Sequence, residues 1–373
     1  MAVAAMNLLW CRPGAVGGSE EYLVRQLLGL VELGLERTRR PVVYCLDSFA
    51  ETHPDVAAEF ELVRPTLPGD QRPLRVAAEH TWLAARARRH SLVHHGGGTA
   101  PAVGHRPIVL TVHDLQYRAL PQNFTAAKRA YLSQAVPRSV GRAAVITTPS
   151  RFVADTVIDA FDADPAALVV VPHGIPSSLG RTASSAGDLR RRFGLGEGRV
   201  VVYPAITHPH KNHRFLIELL AKCWTDPELR LVLLGGAGSA DAAVRRAIDA
   251  ADVADRVIRP GRVSEADRDG LVRLADALVF PSTYEGFGAP VAEAMALGTP
   301  VITSNEAALP EVVGNAGLVL PLRLDDWAGA LDDVGRRRSS LVSAGRAQLA
   351  HFTLRRSAGA LLRAYDLALE RSA

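Results

Sequence analysis

Cysteine is scarce in this chain. Its three cysteines, Cys11, Cys45 and Cys223, lie far apart, with neither a C-x-x-C pair nor the Cys/His spacing of a zinc site. That excludes a disulfide framework, and an odd number of thiols fits a reducing cytoplasm. No apolar run approaches the ~20 residues that cross a bilayer. The start, Met1 to Trp10, lacks a basic segment and reads as a first strand, not a signal peptide. An excess of one charge is also missing: 43 Lys+Arg stand against 39 Asp+Glu, so there is no basic stripe of the kind nucleic acid demands. The short arginine clusters at Arg86–Arg89, Arg190–Arg192 and Arg336–Arg338 read as solvated helix faces, with a weak membrane-surface role for one of them left open. No G-x-S-x-G or other triad signature occurs, so hydrolase chemistry has no support.

What is present is a soluble globular composition, 48% apolar and 22% charged, over 373 residues, longer than one core usually grows. Apolar runs at Asn7–Cys11, Pro41–Leu46, Leu92–His95, Ile108–Leu115, Ala144–Ser150 and Leu168–Ile175 alternate with helical periods. A second series runs through Val200–Tyr203, Leu231–Leu234, Val257–Ile258, Ala277–Phe280 and Pro300–Thr303. Strands alternating with helices imply an α/β fold of mostly parallel sheets with helices on both faces. The Ser/Gly/Arg-rich stretch 177–198 reads as a linker between a domain at 1–176 and one at 199–351.

Several loops sit where such sheets bind ligands, at the carboxyl ends of strands. Ser282 to Gly298, S-T-Y-E-G-F-G-A-P-V-A-E-A-M-A-L-G, is a glycine loop between a strand and a helix with Pro290 in its first turn. A helix start offers free N–H groups and positive dipole to a phosphate. Glu285 and Glu293 lie eight positions apart and could accept from two sets of hydroxyls, as a nucleotide sugar would present. A surface loop with two solvated glutamates remains the plainer alternative. Gly17 and Gly18, with Ser19 as a cap, form a second strand–glycine loop–helix unit; it is not G-x-G-x-x-G. His113 ends a strand, Gly96–Thr99 reads as a very flexible loop, and Lys211 lies in a histidine-rich loop, His208-Pro-His-Lys-Asn-His213. Those histidines have Pro209 among them and no carboxylate nearby in sequence, so no metal is expected. Asp162-Ala-Asp164 reads as a turn or cap.

Together these residues resemble the retaining glycosyltransferases of family 4. Glu285, Phe287-Gly288, Pro290, Glu293, Gly298 and Pro300 follow that family's E-x7-E signature, and Leu309-Pro-Glu311, Gly17-Gly-Ser-Glu20, His113-Asp-Leu115 and Val171-Pro-His-Gly174 follow its other landmarks. The resemblance covers nearly the whole chain. It implies the GT-B fold, two facing Rossmann-like domains with the cleft between them, and a last helix from Phe352 (352–373) crossing back onto the first domain. It implies that Glu293 binds the donor ribose and that Glu285, with the Gly286, Phe287 and Gly288 backbone, holds the transferred sugar. Lys211 would bind the diphosphate, Gly17 and Gly18 would admit the distal phosphate, His113 would stand near the sugar ring, and Arg262 and Val263 would hold the base. Many members carry an arginine five or six positions before the lysine; here Ala205 and Ile206 occupy those places. A second cation is then sought from His208, His210 or Arg262.

The Thr207-His-Pro-His-Lys-Asn-His213 form is similar to a subgroup of mannosyl- and O-antigen transferases. The implied reaction is metal-independent transfer of a hexose, mannose favoured, to a glycan, glycolipid or small-molecule hydroxyl. There is no cofactor beyond the nucleoside-diphosphate sugar co-substrate, such as GDP-mannose. Expected partners exclude nucleic acid, and the expected location is the cytoplasm, with peripheral contact with the inner membrane face left open. A sugar-nucleotide 2-epimerase of the same architecture and a non-catalytic nucleotide-sugar scaffold are the competing readings.

Overall fold

The computed structural model describes residues 4–104 and 107–373. Residues 1–3, part of the stretch read as a first strand, lie outside them. The chain divides into two units, residues 1–174 with 352–373, and residues 175–351.

The first unit is a seven-stranded parallel sheet of β1 (Ala4–Asn7), β2 (Val42–Tyr44), β3 (Leu62–Val63), β4 (Leu92–His95), β5 (Ile108–Thr111), β6 (Val145–Thr148) and β7 (Leu168–Val170). Its order is β3-β2-β1-β4-β5-β6-β7. The order reverses between β1 and β4, which pair in parallel, Asn7 opposite His95. The first strand is Ala4–Asn7, upstream of the Asn7–Cys11 expected. Beyond Asn7 the chain already turns, and the Asn7 side chain accepts from Leu9 N at 3.1 Å.

Helix Gly18–Glu32 and the last helix, Leu354–Glu370, pack together over one face of this sheet. Tyr22 and Tyr365 reach across the buried core, Tyr22 donating to Val171 O at 2.6 Å. Gly17, not Ser19, is the residue before the first helix, and no side chain caps it. Ser150 does cap helix Arg151–Phe161, accepting from Val153 N at 3.2 Å. Asp162 ends that helix in a left-handed conformation, and Asp164 accepts from Ala166 N at 2.9 Å while pairing with Arg371. The loop after β4 is not loose: a Cβ on Gly97 would stand 2.6 Å from the Trp10 ring, so only glycine lets the two approach.

The second unit has six parallel strands: β8 (Val200–Pro204), β9 (Arg230–Leu234), β10 (Val257–Gly261), β11 (Ala277–Phe280), β12 (Val301–Ser304) and β13 (Gly317–Leu320). The order β10-β9-β8-β11-β12-β13 is that of a dinucleotide-binding sheet. Residues 177–198 belong to this unit and are largely ordered against it. Helix Ala186–Phe193 buries Leu189, Ser184 Oγ donates to Asp267 at 2.6 Å, and the Gly180 N–H reaches Asp269 at 3.0 Å. The polar residues that suggested a linker are bonded to helix Glu265–Leu274, which Ser264 caps. Helix Leu324–Ala328 ends at Gly329, and one long helix, Ala330–Leu349, follows. Among the described residues no helix is long and apolar enough to cross a membrane.

Candidate functional site

In the second unit β8 and β11 are neighbours, yet the chain leaves them toward opposite edges of the sheet. Their loops therefore diverge and open a crevice at the carboxyl ends of the strands. The Lys211 loop follows β8 and the Glu285 loop follows β11. Thr283 fastens the two, donating to His210 O from its N–H at 2.8 Å and from its hydroxyl at 3.2 Å. Below them the buried Tyr203 hydroxyl donates to Lys211 O at 2.7 Å and lies 3.0 Å from Ser282 Oγ, while Ser304 Oγ donates to Ser282 O at 2.5 Å. Lys211 Nζ donates to Glu285 Oε1 at 2.6 Å, with side chains only 20% and 12% exposed. That burial sets the pair apart from an ordinary surface ion pair.

Two helices start at this corner. Asn212, at φ 53°, turns the first loop directly into helix His213–Lys222. Gly288, at φ 93°, precedes helix Ala289–Ala296, and a Cβ there would stand 2.7 Å from Leu309 Cδ2. Both the conformation and the approach demand glycine. Phe287 is buried beneath the turn, and Glu293 stands half-buried on the second helix. A lysine and two helix starts thus gather positive charge where two glutamates offer acceptors.

His208 and His210 stack with ring centroids 5.9 Å apart, and His208 Nδ1 lies 3.3 Å from Ser239 Oγ. Burial, and next the Lys211 ammonium, hold both below the ordinary histidine range, His210 at about 4. Both rings thus favour the neutral form, which leaves Arg262, of the three residues named, as the standing cation. His213 faces inward against Tyr203 with centroids 4.8 Å apart. Beside the loops lies a cavity of about 260 Å³, lined by Ala205, Ile206, Arg262, Val263 and Arg268. Arg262 is exposed there, with Val263 beside it. Arg268 is a residue the sequence reading missed. Burial opposes its charge, but the Glu293 and Asp269 carboxylates hold its pKa above the usual arginine value, and it donates twice to Asp269 Oδ1, at 3.0 and 2.9 Å.

In the first unit Gly17, at φ 61°, leads into a helix that starts at Gly18, and the space above both is open. Glu20, in the first turn, is engaged by Gly14 N at 3.0 Å and His53 at 2.8 Å. His113 lies across from this loop's helix, its ring 5.4 Å from Tyr22 and 5.9 Å from Trp10. Its Nε2 is 2.7 Å from Gly96 O. A carbonyl only accepts, so Nε2 carries the proton. Burial holds the ring's pKa at about 4, against the Gly96 bond, so the imidazole is neutral and Nδ1 keeps its lone pair. Among the described residues no group of three His, Cys, Asp or Glu is arranged to hold a metal ion.

The comparisons agree with this division. Residues 16–179 match the model "Glycosyltransferase Family 4", and residues 187–340 match "Glycosyl transferases group 1". The O-antigen chain mannosyltransferase B of Escherichia coli is 29% identical over 57% of this chain, an alignment that spans 56% of that relative's own length. A D-inositol 3-phosphate glycosyltransferase of Actinosynnema mirum is 28% identical over 95% of this chain and 93% of its own. Among solved structures, Anabaena HepE in complex with UDP-glucose superposes with TM-score 0.77 at 19% identity, covering 98% of this chain and 100% of that one. WaaG, a glycosyltransferase involved in lipopolysaccharide biosynthesis, gives 0.69 at 16% over 98% and 99%. Such identities establish the fold, two Rossmann-like domains of the GT-B kind. With a family module in each unit, this chain belongs to the family 4, group 1 glycosyltransferases.

Proposed function

We propose that the protein moves a hexose, mannose favoured, from a nucleoside-diphosphate sugar to an acceptor hydroxyl with retention of anomeric configuration. The observation that carries this is the Lys211–Glu285 pair at 2.6 Å, set at a topological switch point beside two helix starts. The UDP-glucose bound by HepE supports a sugar nucleotide as donor, and the names of the O-antigen and other mannosyltransferases support mannose.

In this reading the bond between the sugar C1 and the leaving phosphate oxygen breaks, and the acceptor oxygen joins C1 on the same face. The acceptor proton passes to the departing phosphate. Negative charge grows on the diphosphate, and Lys211 with the two helix dipoles answers it, a fixed electrostatic term of several kcal/mol. Glu285 accepts from sugar hydroxyls and Glu293 from the ribose. With that positive charge supplied by the chain, transfer proceeds without an added metal.

A thermal-shift screen with GDP-, UDP- and dTDP-sugars tests the reading. A donor at a hundred times its dissociation constant adds about 2.7 kcal/mol to the folded state. The expected result is a raised midpoint with GDP-mannose and slow release of mannose in the presence of a chelator. An isomerised nucleotide sugar, or no shift with any nucleotide, would overturn it. Arg268 gives a second check. Arg268→Ala is expected to weaken nucleotide affinity about tenfold through loss of a charged hydrogen-bonding group, whereas the exposed Arg262→Ala costs less. The reverse ranking in a calorimetric titration would place the nucleotide elsewhere.

A further inference from the structure

The first unit contains a cavity that the donor reading does not use. It measures about 380 Å³ and lies at that unit's own switch point, walled by the loop after β1, the loop after β4 and the helix Arg72–Ala78. Arg12, Arg72, Arg75 and Lys128 all line it, with Glu79 the one carboxylate among the described lining residues. Arg75 Nη1 donates to Trp10 O at 2.8 Å, while the buried Arg75 Nε and Trp10 Nε1 have no partner among the described residues. Arg72 lies over the Tyr131 ring, 4.8 Å from its centroid. No ion pair involves Arg12, Arg72 or Lys128 among the described residues. Four cations against one acid, with buried donors left over, is an arrangement complete only with an anion present. Fork-shaped guanidinium groups at close quarters match the oxygens of a phosphate.

We propose that this cavity holds the phosphate of the acceptor, so that the hydroxyl glycosylated belongs to a phosphate ester. The proposal rests on the glycosyltransferase reading above and names its acceptor class. The phosphate can come from a soluble ester or from a lipid headgroup. An open apolar trough of about 660 Å³ adjoins the cavity and shares Arg72, Val76, Lys128 and Tyr131 with it, wide enough to seat the start of an acyl or prenyl chain.

The test has two arms, both on the full chain with its donor site filled by nucleoside diphosphate. One titrates glycerol 3-phosphate against glycerol; the other measures binding to phosphatidylcholine vesicles with and without phosphatidic acid. Phosphate-dependent binding is expected in at least one arm, and the vesicle arm alone would assign the lipid source. Arg72→Ala/Arg75→Ala is expected to weaken that binding about tenfold or more, and Glu79→Gln to tighten it at pH 8, above the Glu79 value of about 7, a gain that misfolding cannot produce. Nucleotide affinity stays unchanged in all variants. Failure of nucleotide binding in the wild type would count against the donor reading alone. Equal binding of glycerol and its phosphate, phosphate-independent vesicle binding, or an unaltered double variant would overturn the acceptor site.

Discussion

Replacing Lys211 with alanine is expected to lower kcat about 10²–10³-fold, the cost of removing one fixed donor from a developing anion. KM for the donor should rise less, because the two helix starts remain. The contrast with Glu285 is the informative part. The two side chains meet at 2.6 Å and are mostly buried, so each holds the other in place. If Glu285 only accepts from sugar hydroxyls, Glu285→Gln keeps the shape, loses a charge-assisted bond worth roughly 1.5–3 kcal/mol, and leaves about one part in ten to one part in a hundred of the activity. If Glu285 were the nucleophile, the amide would abolish turnover, and a glycosyl-enzyme adduct would be found on Glu285 in the wild type. A trapped adduct by mass spectrometry would therefore sink same-face substitution. Because the residues share one pair, the double variant should lose less than the two single losses combined. Additive losses would mean that they act on separate parts of the donor.

The loop-and-helix run at 282–298 was readable before any coordinates because its constraints are local. Gly288 must take a positive φ and pass close to Leu309, Pro290 suits a first turn, and the apolar run before it ends at Pro281. Lys211 was readable for the same reason: it follows a strand and precedes a helix. Arg268 was not. It stands in Ser264-Glu-Ala-Asp-Arg-Asp-Gly270, which by pattern is a solvated helix start, and only the packing of that helix beside β8 turns it toward Ile206 and Glu293. The cationic cavity of the first unit is likewise assembled from residues 12, 72, 75 and 128, which no local pattern joins. Residues 47–87 hide several short helices because their apolar positions are too few to show a period. The charge states of His208 and His210 depend on burial, which the sequence Thr-His-Pro-His-Lys does not display.

Burial of histidine also makes the first unit acid-sensitive. His94 and His95 lie on β4 inside the sheet, fully enclosed. His94 is flanked by the Tyr365 hydroxyl at 3.0 Å and Thr111 Oγ1 at 2.7 Å, and His95 Nδ1 accepts from Asn7 Nδ2 at 3.1 Å. Burial first, then neighbouring His95 and His113 for one and Arg142 and His80 for the other, lowers both to about 3. His173 is lowered too, by burial and then by Arg25 and His113. Each of these rings stays neutral in the folded chain while the unfolded chain protonates it near pH 6.5. Their contribution is fully present above about pH 6.5 and is lost as the pH falls toward the folded values. Glu79 works the other way: burial raises it to about 7, so between pH 7 and 4.5 the folded chain holds a proton that the unfolded chain has released. His113, held at about 4, refuses a fourth. Four protons refused and one retained leave a net of three, and stability should fall by about 4 kcal/mol per pH unit between roughly pH 6 and pH 4.5. Set against a total of about 5–15 kcal/mol, that unfolds the unit well above the pKa of His94 itself. Denaturant melts at pH 7.5 and 5.5 should show the drop. His95→Gln should make the slope shallower by about 1.4 kcal/mol per pH unit. A midpoint that does not move over this range would mean that the histidines are hydrated and free to charge in the folded state.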